Sequence, residues 1–97
     1  MRYEISELAV NDLEKIWFYT ADHWSTDQAD FYYKEIIRAI QEICTYPEIG
    51  KPIEYVKRHH RRFPIRSHVI FYKIGKNTIY IDRILHERMD VDSHLSD

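Results

Sequence analysis

Residues 67–74, SHVIFYKI, and residues 78–85, TIYIDRIL, are two apolar runs separated by Gly75-Lys76-Asn77. Both runs are rich in β-branched and aromatic residues, which favour strands. The intervening Gly and Asn are typical of a hairpin turn. A third run at about 61–65 precedes them, and residues 2–5 form a short β-compatible start. The second half of the chain therefore predicts a small, mainly antiparallel sheet.

The first half predicts two helices. Ser6 is a good N-cap for a helix whose apolar face comprises Ala9, Leu13, Ile16, Trp17, Thr20 and Trp24. We assign Asn11, Asp12, Glu14 and Lys15 to its polar face. Ser25 and Gln28 fit a capping box that begins the second helix. Its apolar stripe runs from Ala29 to Cys44, and Pro47 and Gly50 end it. The helices follow each other almost directly, which predicts an αα-hairpin.

The predicted order is β-α-α-β-β-β. This order favours an α+β fold, with the helical hairpin packed on one face of the sheet. The 97 residues are enough for one domain, residues 1–97. From about Val91 the chain is polar, and we expect a short, loosely packed C-terminal extension. No apolar run approaches the roughly 18 residues of a membrane span. With no signal-peptide pattern and one cysteine, Cys44, we expect a cytoplasmic protein.

Charge is unevenly distributed along the chain. Between Tyr55 and Ile81 there is no acidic residue, and the basic residues are Lys57, Arg58, Arg61, Arg62, Arg66, Lys73 and Lys76. The remainder holds the other seven basic residues and all sixteen acids. We call the seven basic residues between Tyr55 and Ile81 the basic strip. It either offers a positive face to an acidic partner or pairs with acids of the same chain, and the sequence leaves both interpretations open.

Few patterns suggest chemistry. His86, Asp90 and His94 have helical spacing that could bind a metal, but Asp92-Ser93 is poor helix sequence, so we expect no metal site. Cys44 lies in a helical apolar stripe without an obvious base. RNA cleavage stays open, with His86 as acid or base and Tyr72 or Tyr80 orienting a 2′-hydroxyl. Phosphates would then contact Arg61, Arg62, Arg66 and Arg83. The same tyrosines and arginines could instead be core aromatics and interface residues.

Five segments occur in an order that resembles the ParE toxins of the RelE/ParE superfamily. They are LEKIWFYT (13–20), WSTDQADFY (24–32), YPEIG (46–50), SHVIFY (67–72) and RILHERMD (83–90). The resemblance implies the toxin half of a bacterial toxin–antitoxin pair, of the kind used in plasmid or chromosome maintenance, with the β-α-α-β-β-β fold. ParE-type members poison DNA gyrase, and RelE-type members cut mRNA on the ribosome. In the RelE-like nucleases of this superfamily, the chain ends with a catalytic Tyr or His-Tyr pair close to the last strand. Here no Tyr follows His86, which favours the ParE type.

The resemblance also implies partners and sites. We expect a ParD-like antitoxin in a hetero-oligomer and DNA gyrase as the target. We expect no membrane association, no sequence-specific nucleic-acid binding and no cofactor. The predicted target contacts are Arg61, Arg62, Arg83, His86, Arg88, Met89 and Asp90. The predicted antitoxin contacts are Trp17, Tyr19, Trp24, Tyr32, Tyr33 and Arg66. Only the alternative function, a ribosome-dependent mRNA endoribonuclease, would make His86 and Arg83 catalytic.

Overall fold

A computed structural model describes residues 1–54 and 56–95. Its elements are β1 (Arg2–Ile5), α1 (Glu7–His23), α2 (Thr26–Thr45), β2 (Lys51–Pro52), β3 (His60–Ile65), β4 (His68–Ile74), β5 (Thr78–His86) and α3 (Val91–Leu95). The sheet order is β1-β5-β4-β3-β2. Only the β1–β5 pair is parallel among these neighbours. The predicted α+β fold is confirmed, and the four predicted strands lie within one residue of their observed bounds.

Both helices begin where the serine caps predict. Ser6 Oγ accepts a hydrogen bond from the Ala9 N–H at 3.0 Å, and Ser25 Oγ accepts one from the Gln28 N–H at 3.0 Å. Each bond satisfies one of the N–H groups that a helix start leaves without a partner. The hairpin of helices therefore turns within the two residues between His23 and Thr26, as the sequence predicts.

The main core lies between the helical hairpin and one face of the sheet. Its fully buried members include Ile36, Ile40 and Ile43 from α2. They pack with residues of the sheet, among them Ile70, Tyr72, Ile79, Ile81 and Ile84. The prediction that Trp24 belongs to the apolar face of α1 is wrong in one respect. Trp24 is the residue after the last helical turn, and 69% of it is exposed.

A second, smaller core covers the opposite face of the sheet. It contains Ile53, Val69, Phe71, Leu85 and Leu95. Strand β4 is apolar on both faces because Val69 and Phe71 alternate with Ile70 and Tyr72. The prediction of a loosely packed C-terminal extension is wrong, since α3 buries Leu95 in this core. The last two residues of the extension lie outside the described residues.

The prediction also missed β2. This strand has only two residues, one of them Pro52, and it pairs with β3 at the edge of the sheet. An edge is where a strand tolerates proline, since the missing N–H faces away from the ladder. Within the described ranges, no helix is both long and apolar enough to cross a membrane.

Candidate functional site

A groove of about 850 Å³ lies where the helical hairpin meets the β3–β4 turn and the end of β5. Ile16 and Ile84 line it together with four large apolar side chains that remain exposed, namely Tyr19, Trp24, Phe31 and Met89. Exposed apolar side chains that converge on one concave surface are typical of a ligand or protein-binding site. We call this surface the groove.

Tyr32 and His68 form the polar centre of the groove. The Tyr32 hydroxyl donates to the Ile65 carbonyl at 3.1 Å and lies 2.7 Å from His68 Nδ1. Since the hydroxyl has one hydrogen, this arrangement places a hydrogen on Nδ1, which donates to the Tyr32 oxygen. Burial and then the neighbouring His86 lower the pKa of His68 from 6.5 to about 4. The ring is therefore neutral at pH 7.

His86 lies beside this pair at the end of β5. Its ring meets the His68 ring edge-on, with 5.3 Å between the ring centroids. Its Nδ1 accepts a hydrogen bond from the Arg88 N–H at 3.1 Å. The Met89 N–H donates to the His86 carbonyl at 2.9 Å, which closes a tight turn. This turn is what places the Met89 side chain at the groove.

Asp12, which lines the groove, forms a largely buried ion pair with Arg83. The Arg83 Nε and NH2 groups donate to the two carboxylate oxygens at 2.8 and 2.9 Å. Asp12 also accepts from the Ile84 N–H at 2.9 Å. The Asp12 carboxylate raises the pKa of Arg83 above its ordinary value. Our assignment of Asp12 to the polar face of α1 is wrong, because only 7% of this residue is exposed.

A second ion pair borders the groove at the β3–β4 turn. Arg66 donates to both carboxylate oxygens of Glu35, at 2.5 and 3.0 Å. Its guanidinium also lies 6.0 Å from the centre of the Phe31 ring. The arginine lowers the pKa of Glu35, and Glu35 raises the pKa of Arg66. Arg66 has φ of 53°, so the turn holds it in the left-handed region.

Comparison with known proteins identifies the family of this chain. Residues 3–91 match the family described as "ParE toxin of type II toxin-antitoxin system, parDE". The chain is 40% identical to Toxin ParE1 of Mycobacterium tuberculosis H37Rv over 95 residues, which is 97% of each protein.

The chain belongs to the ParE toxin family.

A further relative agrees with this assignment, and a solved structure shares the fold. Toxin ParE1 of Caulobacter vibrioides is 37% identical over 93 residues, 96% of each protein. A solved structure titled "Chromosomal ParDE TA system from P. aeruginosa" has a TM-score of 0.77 with 17% identity. The alignment covers 89% of this chain and 95% of that one. At this identity, the solved structure supports the ParE-family fold alone.

The groove of this ParE-family chain unites residues that sequence reasoning kept apart. Four of the predicted antitoxin contacts line it, namely Tyr19, Trp24, Tyr32 and Arg66. Two of the predicted target contacts, His86 and Met89, line it as well. Trp17 and Tyr33 are not part of its lining. The Trp17 Nε1 group donates to the Asp30 carboxylate at 2.9 Å instead.

The arginines predicted to contact the target of the ParE-family chain differ in their surroundings. Arg83 is not a free surface charge, because Asp12 binds its guanidinium and only 15% of its side chain is exposed. Arg61 is also bound within the fold, since it donates to the carbonyls of Gly50 and Glu48 at 2.6 and 3.3 Å. Among residues 1–54 and 56–95, the Arg62 side chain has no hydrogen-bond or ion-pair partner. Whether any of them contacts a target stays a prediction.

Some charges of the basic strip therefore form ion pairs within the chain. Lys57 lies 3.5 Å from the Asp82 carboxylate, and Arg66 pairs with Glu35. The interpretation that some of these charges pair within the chain holds for these residues. Arg88 and Asp90, the remaining predicted target contacts, are exposed in the turn after β5.

The role proposed for Tyr72 in RNA cleavage does not fit the ParE-family structure. The Tyr72 hydroxyl donates to the Pro47 carbonyl at 2.7 Å and accepts from the Gly50 N–H at 2.8 Å, so it is inside the fold. Cys44 is buried, and burial raises the pKa of its thiol. In the part of the chain that the structure describes, no three potential ligands cluster as a metal site would require. His94, the last residue of the candidate metal set, has its Nδ1 2.7 Å from the Asp90 carbonyl.

Sequence reasoning missed His68 of β4 and also four helical residues of this site. Asp12 and Lys15 were assigned to a polar surface, and Phe31 and Glu35 were not selected at all. All four line the groove. The available signal was their spacing, because Asp12 and Ile16, like Phe31 and Glu35, are one helical turn apart.

Proposed function

We propose that this ParE-family chain is a growth-inhibiting toxin that acts on DNA gyrase. The observation that carries the proposal is the likeness to Toxin ParE1 over 97% of both proteins. Inhibition here requires binding to gyrase and no catalytic step of the toxin's own. We infer that the turn after β5, with Arg88, Met89 and Asp90, contributes to that contact, since these side chains are exposed.

We further propose that a ParD-like antitoxin neutralises the toxin by binding in the groove. A disordered antitoxin segment would fold on contact as a helix and a strand along the junction of hairpin and sheet. The exposed aromatic rings of Tyr19 and Trp24 supply the kind of anchor that dominates interface energy. We expect a hetero-oligomer in which an antitoxin dimer bridges toxin copies.

Two of the residues proposed for RNA cleavage are bound within the fold, which disfavours the ribonuclease alternative. Arg83 is bound by Asp12, and the Tyr72 hydroxyl is bound by the 47–50 loop. His86 remains at the groove, so it is the residue that discriminates between the two functions. In a gyrase inhibitor it is a packing residue. In a nuclease it would be a general acid or base worth about 10²–10⁴-fold in rate.

Expression of the chain in bacteria tests the target. We expect filamentation and gyrase-trapped DNA breaks, with mRNA remaining intact. A folded His86→Gln variant should retain much of the growth inhibition. Fragmented mRNA with normal supercoiling, or complete loss of inhibition in folded His86→Gln, would support the nuclease instead.

Co-purification tests the partner. The tagged chain, expressed with the adjacent small open reading frame, should purify as a complex. Trp24→Ala should weaken that complex, whereas Phe18→Ala should not, although Phe18 is similarly exposed at 65% against 69% for Trp24. Phe18 is not part of the groove lining. A chain that purifies alone as a well-tolerated monomer would contradict the antitoxin proposal.

A further inference from the structure

Lys15 differs from the other charged residues that line the groove. Asp12 is neutralised by Arg83, and Glu35 is neutralised by Arg66. The Lys15 side chain is exposed and has no hydrogen-bond or ion-pair partner anywhere in residues 1–54 and 56–95. Of the two histidines in the lining, His68 is neutral at pH 7. Among the lysine, arginine and carboxylate side chains of the lining, Lys15 therefore carries the one charge without a partner, and it lies beside an apolar surface.

The position of Lys15 relative to the aromatic residues is fixed by α1. Lys15 and Tyr19 are four residues apart in the same helix, so their side chains lie on the same face, about 5–6 Å apart at Cβ. Trp24 follows just after the end of this helix. The Lys15 ammonium group is therefore about one helical turn from Tyr19, on the side towards the start of α1 and away from Trp24.

We propose that the groove selects an antitoxin segment with a specific pattern, namely a carboxylate for Lys15 three or four residues from an apolar side chain that packs on Tyr19 and Trp24. This inference rests on the proposed function, because it takes the antitoxin as the occupant. Helical spacing in the partner matches the one-turn spacing between Lys15 and Tyr19. Arg66 is a poorer receptor for the same carboxylate, since Glu35 already occupies its guanidinium.

The contribution of Lys15 has two expected components. A charge at the edge of a binding site accelerates association and makes it sensitive to salt. Once the segment is bound, part of the surface around Lys15 loses water, so the ion pair is stronger than a fully exposed one. We expect Lys15→Glu to weaken binding about 10-fold, and Lys15→Gln to weaken it less.

The test uses the complete chain and a synthetic peptide covering the C-terminal segment of the antitoxin encoded beside it. Dissociation constants are measured by calorimetry at low and high salt for the wild type, Lys15→Glu, Lys15→Gln and Lys34→Glu. Lys34 is an exposed lysine of α2 outside the groove lining, so it is the matched control. Only the Lys15 variants should weaken binding, and the difference should shrink at high salt. A peptide with its acidic residue changed to Lys should bind Lys15→Glu better than the wild type.

The outcomes separate this inference from the proposed function. If Trp24→Ala weakens peptide binding but Lys15→Glu matches Lys34→Glu, the groove binds the antitoxin and the role of Lys15 is refuted. If neither the antitoxin nor its peptide binds the wild-type chain, the proposed function fails and this inference fails with it. Circular dichroism melting confirms that each variant is folded.

Discussion

At the scale of single residues, the carboxylate of Asp12 links α1 to β5. Strand β1 ends at Ile5 and pairs with β5 only as far as Ile81. Ile84 is three residues further along β5, and its N–H has no strand partner on the β1 side, so Asp12 accepts its hydrogen bond. The same carboxylate binds Arg83, whose NH1 group reaches the His94 carbonyl of α3 at 3.4 Å. One side chain thus replaces a missing strand partner and neutralises a buried charge.

We predict that Asp12→Asn lowers the free energy of unfolding by about 3–5 kcal/mol, because it leaves the partly buried Arg83 guanidinium without a counter-ion. Urea denaturation measures the change. Asp22→Asn, an exposed aspartate of the same helix, is the control and should change stability by no more than about 0.5 kcal/mol. Equal effects of the two substitutions would show that the Asp12–Arg83 pair contributes little.

His68 predicts a pH dependence of stability. Its pKa is about 4 in the folded chain and 6.5 as the ordinary value, so the unfolded chain binds more protons between these limits. Stability should therefore fall as the pH drops from 6.5 towards 4, and this contribution should not change further below 4. In His68→Asn, which can still donate a hydrogen bond to Tyr32, the dependence in this window should flatten. Denaturation midpoints at several pH values measure both slopes, and parallel slopes would contradict the assignment.

At the scale of elements, α3 is a structural part of the fold. A helix of five residues is not stable alone, so tertiary packing must hold it. That packing is supplied by Leu95, which is only 1% exposed and contacts the second core. The segment was hard to predict because its sequence is polar and poor in helix formers. The apolar run of β4 gave the counter-evidence, since a strand that is apolar on both faces needs a cover on each.

We predict that Leu95→Ala lowers the free energy of unfolding by about 2–5 kcal/mol, the usual range for a large-to-small change in a core. Leu8→Ala is the matched control, because Leu8 is 57% exposed on α1. The control should stay within about 0.5 kcal/mol of the wild type. Thermal melting of both variants gives the comparison. A stable Leu95→Ala variant would mean that α3 does not seal the second core.

Arg61 and Arg62 are neighbours in β3, but their side chains make different contacts. Arg61→Glu removes two hydrogen bonds to loop carbonyls and places a carboxylate beside them, so it should cost about 1–3 kcal/mol of stability. Arg62→Glu removes no such bond and should cost no more than about 0.5 kcal/mol. Melting temperatures test the difference. If Arg62→Glu also abolishes growth inhibition while remaining folded, Arg62 contacts a partner. Equal melting temperatures for both variants would contradict the structural role of Arg61.

At the scale of the whole molecule, sequence patterns predicted most of the architecture. Strand-forming residues around a Gly-containing turn and two serine caps are local signals, and local signals can be read from sequence. The position of Asp12 could not be read, because it depends on β1 ending before β5 does. Which aromatic residues of α1 line the groove could not be predicted either, because it depends on how α1 is rotated about its axis against the sheet. That rotation sends Tyr19 into the groove and leaves Trp17 outside it.

The sequence therefore indicated some residues of the groove lining and not others. Tyr32 and Arg66, two predicted antitoxin contacts, both line the groove. Their partners, His68 and Glu35, come from β4 and α2 and are 36 and 31 residues away in sequence. Pairings over such separations follow from the packed fold and not from any periodicity in the chain.

The most direct test of the central claim is a supercoiling assay with purified DNA gyrase and relaxed plasmid, to which the purified chain is added in increasing amounts. We predict that supercoiling activity falls and that cleaved plasmid accumulates, and that prior addition of the cognate antitoxin prevents both effects. Undiminished supercoiling at a large molar excess of folded toxin would contradict the proposal that this ParE-family chain acts on gyrase.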